Sequence, residues 1–261
     1  MPSELLTSRE GSTLILTLSD PATRNTLSPQ VYSAGVEALN VAESDDSVRA
    51  VIVRGDGEHF CAGGDLNRII GLRKTGPQAQ SESIALFHQL IESLRAFPKP
   101  VIAAVEGFAA GGGMSLALAC DLIVAADTAK FGLTEVKRGL IAGEGGVIRL
   151  PRRLPYHVAM RVLLTGEPIS AVDADKYGLL SELTVAGGAL VAAQDLARRV
   201  AVNAPLALAK VKAVLRETQG LSDADAFKRQ SDSASDLLHT EDAHEGALAF
   251  AEKRAPVWRG R

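Results

Sequence analysis

Short apolar runs alternate along the chain with longer stretches in which apolar positions recur every three or four residues. TLILTLS (Thr13–Ser19) alternates in the manner of a strand and stops at the Asp20-Pro21 breaker. Ser28-Pro29 then supplies an N-cap and a proline for the first helical position, and Tyr32, Val36 and Leu39 follow at helical spacing. VRAVIV (Val48–Val53) is apolar and rich in β-branched residues, which predicts a buried strand, and it runs into a long loop, GDGEHFCAGGD. A helix is predicted from about Ser81, with Ile84, Phe87, Ile91, Leu94 and Phe97 on one face and Pro98 at its end. PVIAAVEG and DLIVAAD are two further buried strands, and the apolar run after the glycines between them predicts a helix.

Strands alternating with helices through the first 130 or so residues predict an α/β fold, a mostly parallel sheet with crossover helices. From Gly188 onward the pattern is helical only, with Asn203–Pro205 opening one helix and Gly220 closing it. The chain therefore divides into an α/β core over 1–187 and a helical region over 188–261. Its 261 residues are enough to bury a substantial core. With 28 basic against 31 acidic side chains the net charge is −3, so no global field favours nucleic acid or an anionic membrane, and a small-molecule partner is expected. Cys61 and Cys120 give neither a disulfide framework nor zinc-ligand spacing, which suits a reducing compartment, with the cytoplasm as the expectation. The N-terminus lacks a signal-peptide core. The most apolar run, Val101–Ala126, is interrupted by Glu106, the glycines, Ser115 and Asp121 and predicts a buried core rather than a membrane span.

Candidate chemistry centres on two glycine loops, CAGGD (Cys61–Asp65) and AAGGG (Ala109–Gly113), each after a predicted strand and each opening a helix. Helix starts present unpaired N–H groups, so two that converge would bind a developing oxyanion; close packing of helix on strand explains the same glycines equally well. Neither loop fits the dinucleotide or phosphate-binding glycine patterns. GMSLA (Gly113–Ala117) approximates a nucleophile elbow, but Ser115 falls inside the predicted helix rather than at a turn directly after a strand, and His157, His239 and His244 lie in no matching signature. Glu135 follows a predicted strand, and Glu144 sits in a third glycine-rich loop. Carboxylates in apolar surroundings serve as general acids or bases, while one beside Lys137 and Arg138 is also an ordinary solvated charge. The late group His239, Glu241, Asp242, His244 and Glu245 lacks the helical spacing of a metal site, so no metal is expected.

Taken in order, FCAGGDL, EGFAAGGGMSLALACDLIVAAD and AKFGLTEVKRGLIAGEGGVIRLPR resemble the enoyl-CoA hydratase/isomerase (crotonase) family, and the likeness runs from RNTLSP to AFAEKRAPVW. The resemblance implies a crotonase-like spiral of ββα units and a C-terminal helical region that builds homotrimers or dimers of trimers. It implies an acyl-CoA thioester substrate, with coenzyme A entering as part of that substrate and no tightly bound cofactor. By the same resemblance the amides of Gly64 and Gly112 form an oxyanion hole for a thioester enolate, each donor typically worth about 2.7 to 4 kcal/mol of barrier. Arg24, Leu27, Ala62, Asp65 and Leu66 are expected along the CoA, with Phe250 and Lys253 reaching it, in one version from a neighbouring subunit. Glu135 matches the second of two catalytic glutamates, and Ser115 stands where the first would be. One glutamate with Ser115 positioning water or substrate, and Glu144 as a second carboxylate, is the expectation for a hydratase or isomerase. Ring-opening oxepin-CoA-type hydrolysis, cinnamoyl-CoA-type hydration and cleavage, hydrolysis through Ser115 and acyl-CoA binding without chemistry stay open.

Overall fold

The computed structural model describes residues 3–65, 70, 71 and 76–261. Its described strands are Glu4–Glu10 (β1), Thr13–Ser19 (β2), Ala50–Gly55 (β3), Val101–Val105 (β4), Phe108–Ala110 (β5), Leu122–Ala126 (β6), Lys130–Gly132 (β7), Ile169–Ser170 (β8) and Glu182–Thr184 (β9). The helices used below are Pro29–Glu43 (α1), Pro77–Ala96 (α2), Gly112–Ala117 (α3), Gly146–Arg153 (α4), Tyr156–Thr165 (α5), Ala171–Lys176 (α6), Ala189–Ala201 (α7), Pro205–Glu217 (α8), Asp223–Leu238 (α9) and Glu241–Glu252 (α10). Ser28 caps α1 as its sequence predicts, its hydroxyl accepting from the Val31 amide at 3.3 Å.

One sheet runs β1-β2-β3-β4-β6-β9, antiparallel between β1 and β2 and parallel thereafter; β5, β7 and β8 form a second, smaller sheet. The central strands are buried on both faces, which is why they read as continuous apolar runs. One face packs on α1, α2, α3 and the second sheet through Leu39, Ile91, Leu94, Met114 and Phe131. The other face is covered by α7, whose Ala189, Ala193 and Ala197 recur every fourth residue and let the helix backbone settle against Ile52, Ile102 and Val124.

The helical region over 188–261 thus starts with a helix that belongs to the core. Its N-terminus is held by Glu106, whose carboxylate accepts from the Gly187 amide at 3.1 Å and the Ala189 amide at 2.9 Å. Farther along, Lys212 on α8 donates to the Asp121 carboxylate and to the Lys99 carbonyl, and Asp121 accepts from the Val101 amide at 2.8 Å. Two expected boundaries shift: α2 begins at Pro77 rather than near Ser81, and β3 begins at Ala50, because the Val48 amide is turned back to the Asp45 carbonyl. Among the described residues no helix is long and apolar enough to cross a membrane.

A close backbone approach in the core lies between the second glycine loop and Cys61. A Cβ on Gly113 would fall 2.2 Å from the Cys61 carbonyl oxygen and 2.8 Å from its Cβ, so only a hydrogen fits. Gly113→Ala is expected to destabilise the chain by about 3 kcal/mol, the upper end for overpacking. Thermal unfolding should then shift down by roughly 6–12 °C.

Candidate active site

Backbone pairing brings the two glycine loops together. The Cys61 amide donates to the Phe108 carbonyl and the Ala110 amide to the Cys61 carbonyl, both at 2.9 Å, so the loop behaves as an extra strand beside β5. Gly111 turns the chain out of β5 with φ 53°, its amide donating to Gly132 of β7 at 2.8 Å. Gly63 has φ 92°, and a Cβ there would lie 2.8 Å from the Ala110 carbonyl oxygen and 3.0 Å from the Gly112 nitrogen. The Gly63–Gly64 turn and the first amide of α3 therefore face each other across a gap no side chain could share. As the first residue of α3, Gly112 has an amide with no acceptor inside its own helix.

The segment Arg24–Leu27 lies alongside this turn. The Ala62 amide donates to the Arg24 carbonyl at 2.9 Å and the Leu27 amide to the Gly63 carbonyl at 2.8 Å. Arg24, Leu27, Ala62, Gly64 and Asp65 are thereby gathered at one place, while Leu66 lies outside the described residues. Leu27 is fully buried, its Cδ1 3.2 Å from where a Cβ of Gly112 would stand. Arg24 is exposed, with its guanidinium 5.9 Å from the centre of the Phe108 ring, a ring that Lys130 approaches to the same distance.

What shapes this segment is Asn25, which sequence reasoning passed over. It is fully buried in the left-handed region at φ 57°, its Oδ1 accepting from the Asp20 amide at 2.9 Å. Its Nδ2 donates to the Asp56 and His59 carbonyls at 2.9 and 2.7 Å. A side-chain amide tolerates that backbone and satisfies three loop groups at once. The only signal in the sequence is an asparagine at a turn.

Glu135 opens a 3₁₀ turn, Glu135–Arg138, just after β7. A Cβ on Gly111 would lie 3.2 Å from its Oε1, so the carboxyl group rests on the residue that precedes α3. Oε2 is buried without a hydrogen-bond partner among the described residues. Burial raises the Glu135 pKa above the usual carboxylate range, opposed by hydrogen bonds from the Glu135 and Thr134 amides and by the Arg138 charge. A carboxyl group whose burial favours the protonated form and whose Oε2 is unengaged among the described residues is equipped to give or take a proton.

Ser115 lies on the buried side of α3, only 1% exposed, and its hydroxyl donates to the Gly143 carbonyl at 3.2 Å. His157 on α5, His239 after α9 and His244 on α10 are not its partners. Nor is Cys61 a nucleophile in waiting, since burial pushes its thiol up to about 12. Phe87 of α2 sits over α3, its ring 3.2 Å from where a Gly112 Cβ would stand, and stacks on Tyr32 of α1 with centroids 4.8 Å apart. Sequence periodicity assigned Phe87 to the core face of its helix without showing that this face borders the glycines.

Phe250 and Lys253 are not brought to this cluster within the chain. They stand exposed at the end of α10, which packs on α9. The late acidic group closes the C-terminus instead. Asp242 is buried and accepts from the Arg259 and Gly260 amides at 2.6 and 3.0 Å, and Glu245 pairs with Arg254 at 2.6 Å.

Comparison with known proteins matches this chain to a family model. Residues 8–261 fit the model of enoyl-CoA hydratase/isomerase. A 2,3-dehydroadipyl-CoA hydratase of Escherichia coli K12 is 38% identical over 99% of this chain and 100% of its own length. A carnitinyl-CoA dehydratase from the same strain is 37% identical, with both chains covered in full. The crystal structure of an enoyl-CoA hydratase from Polaromonas sp. JS666 superposes with a TM-score of 0.95 at 43% identity, covering 98% of this chain and 100% of that one. With its crotonase fold and its glycine loops in motif order, the chain belongs to the enoyl-CoA hydratase/isomerase family.

Proposed function

We propose that the protein adds water reversibly across the C2–C3 double bond of a 2-enoyl-CoA, through a thioester enolate. The observation that carries this reading is the Glu135 carboxyl group, its pKa raised by burial and one oxygen without a hydrogen-bond partner among the described residues, resting against the residue that leads into α3. In this reading the thioester carbonyl takes the amide hydrogens of Gly64 and Gly112. Charge moves onto that oxygen as the enolate forms, and donors already fixed by the surrounding backbone need no reorganisation to meet it. Glu135 then gives its proton to C2. The hydratase and dehydratase names of the two relatives describe the same equilibrium run in opposite directions.

Arg24, Ala62 and Asp65 would lie along the CoA, with Leu27 forming the wall behind the acyl thioester. Phe250 and Lys253, exposed and remote within one chain, would complete the CoA site from a neighbouring subunit of a trimer. Double-bond isomerisation needs the same enolate and the same Glu135, and products tell the two reactions apart.

Mass spectrometry after incubation with crotonyl-CoA should show the gain of one water. Glu135→Gln should lower that turnover by about 10²- to 10⁴-fold. A moved double bond at constant mass, with a 3-enoyl-CoA as substrate, would make the protein an isomerase; no change in any acyl-CoA would overturn the reading.

The same carboxyl group links stability to pH. Its folded pKa lies above the unfolded one, so folding is favoured most below the ordinary carboxylate range. Stability then falls as pH rises through the raised value, and the loss persists above it. Glu135→Gln should therefore raise the urea midpoint relative to wild type at about pH 7. The two midpoints should converge towards about pH 4, near the ordinary glutamate value.

A further inference from the structure

The loop from Gly143 to Gly145 carries a glutamate where a glycine would sit more easily. Glu144 has φ 49°, in the left-handed region, between two glycines. Its backbone is held in place: Arg149 of α4 donates to its carbonyl at 2.5 Å, and a Cβ on Gly145 would meet the Arg149 Cζ at 2.5 Å. Strain maintained by several surrounding contacts marks a position whose side chain is in use.

That side chain is directed towards α2. The Glu144 carboxylate is only 12% exposed and its Oε2 lies 3.2 Å from Nδ1 of His88 on α2. His88 directly follows Phe87, the ring over Gly112. On the other flank, Gly143 directly precedes Glu144, and its carbonyl accepts the hydroxyl of Ser115. The pair Glu144–His88 thus adjoins along the chain Phe87, which covers the start of α3, and Gly143, whose carbonyl holds Ser115, where the family's first glutamate would stand. Arg149, itself within 3.5 Å of Glu92, hydrogen-bonds the Glu144 carbonyl and its charge also acts on the carboxylate, whose hydrogen-bond contact is with His88.

We propose that Glu144 is the second catalytic carboxylate of this protein, the base that activates water, and that His88 is the positioning residue that aims it. The proposal rests on the hydratase reading above. Water loses a proton to the Glu144 carboxylate as its oxygen bonds C3. The C2–C3 π pair moves to C1–C2, and the carbonyl pair moves onto the thioester oxygen. C2 then takes the proton of Glu135, so water has been added across the bond. Glu144 releases its proton to solvent and Glu135 regains one, which restores both groups. Ser115 has no proton to move in this sequence, and its hydroxyl anchors the loop that carries the base.

Two assays on the full-length protein separate the roles: hydration of crotonyl-CoA, and exchange of the C2 hydrogens of butyryl-CoA with D₂O, which needs Glu135 but no added water. Glu144→Gln is expected to lower kcat for hydration by about 10²-fold or more while KM and exchange stay within about threefold of wild type. His88→Gln should lower hydration by about tenfold with the same split. Hydration at the wild-type rate in either variant would overturn the proposal. So would an equal loss of exchange and hydration in Glu144→Gln, which is what simple support of the loop would give. If Glu144→Gln fails to fold, His88→Gln decides by the same criteria. A wild-type protein that exchanges without hydrating overturns the Glu144 role and leaves Glu135 in place; one that does neither overturns the hydratase reading as well.

Discussion

Everything in the site depends on one backbone contact, the approach of Gly113 to the Cys61 carbonyl. Because nothing but a hydrogen fits between them, the loop that leaves β3 and the helix that leaves β5 are held at a spacing no side chain could set. The consequences spread outward through hydrogen bonds of main-chain groups. Cys61 pairs with β5 on one side, the Gly63–Gly64 turn is pinned to Leu27 on the other, and Gly111 is tied to β7. Amides fixed in this way cannot rotate with a rotamer, which is the property wanted of donors that must meet a charge only as it develops.

The carboxylates occupy the opposite electrostatic position. Glu135 rests where burial disfavours its charged form, an effect that the Arg138 charge and the Glu135 and Thr134 amides only partly offset. Glu144 is almost as enclosed, yet a ring nitrogen lies within hydrogen-bond reach. In the proposed mechanism Glu135 gives the proton and Glu144 accepts one.

How much of this the sequence carries depends on the range over which each feature is encoded. β2, β4, β6 and α1 are legible because their burial patterns are periodic or continuous and their ends are marked by Asp20-Pro21, Ser28-Pro29 and the glycines. β1 is not, because it is an edge strand exposed along most of its length and shows no apolar alternation. β5, β7, β8 and β9 are two or three residues long, too short for any period. The stripe Ala189, Ala193, Ala197 reads as an ordinary helix face, and only the sheet packed against it shows why the residues are small. For the candidate site, motif order points to Gly64, Gly112, Ser115 and Glu135 and to Arg24 and Ala62, which the structure joins by a backbone hydrogen bond. Asn25 and His88 escaped because their meaning lies in partners 31 and more residues away, which no local pattern encodes.

The serine at position 115 then has a physical explanation that does not require lost chemistry. Ser115 is 1% exposed, its Oγ lies with Ala142 and Leu133 around the point where a Cβ of Gly146 would stand, and its hydroxyl donates to the Gly143 carbonyl. An ionised group there would be desolvated and would face a carbonyl dipole of the wrong sign. Moving the carboxylate to the neighbouring loop avoids both penalties. Glu144 keeps a partner of its own in His88, and the serine hydroxyl that replaces the glutamate supplies the bond that fixes the loop. Serine on the helix and glutamate on the loop are, in the proposed mechanism, complementary parts of one arrangement around the pair of glycine turns.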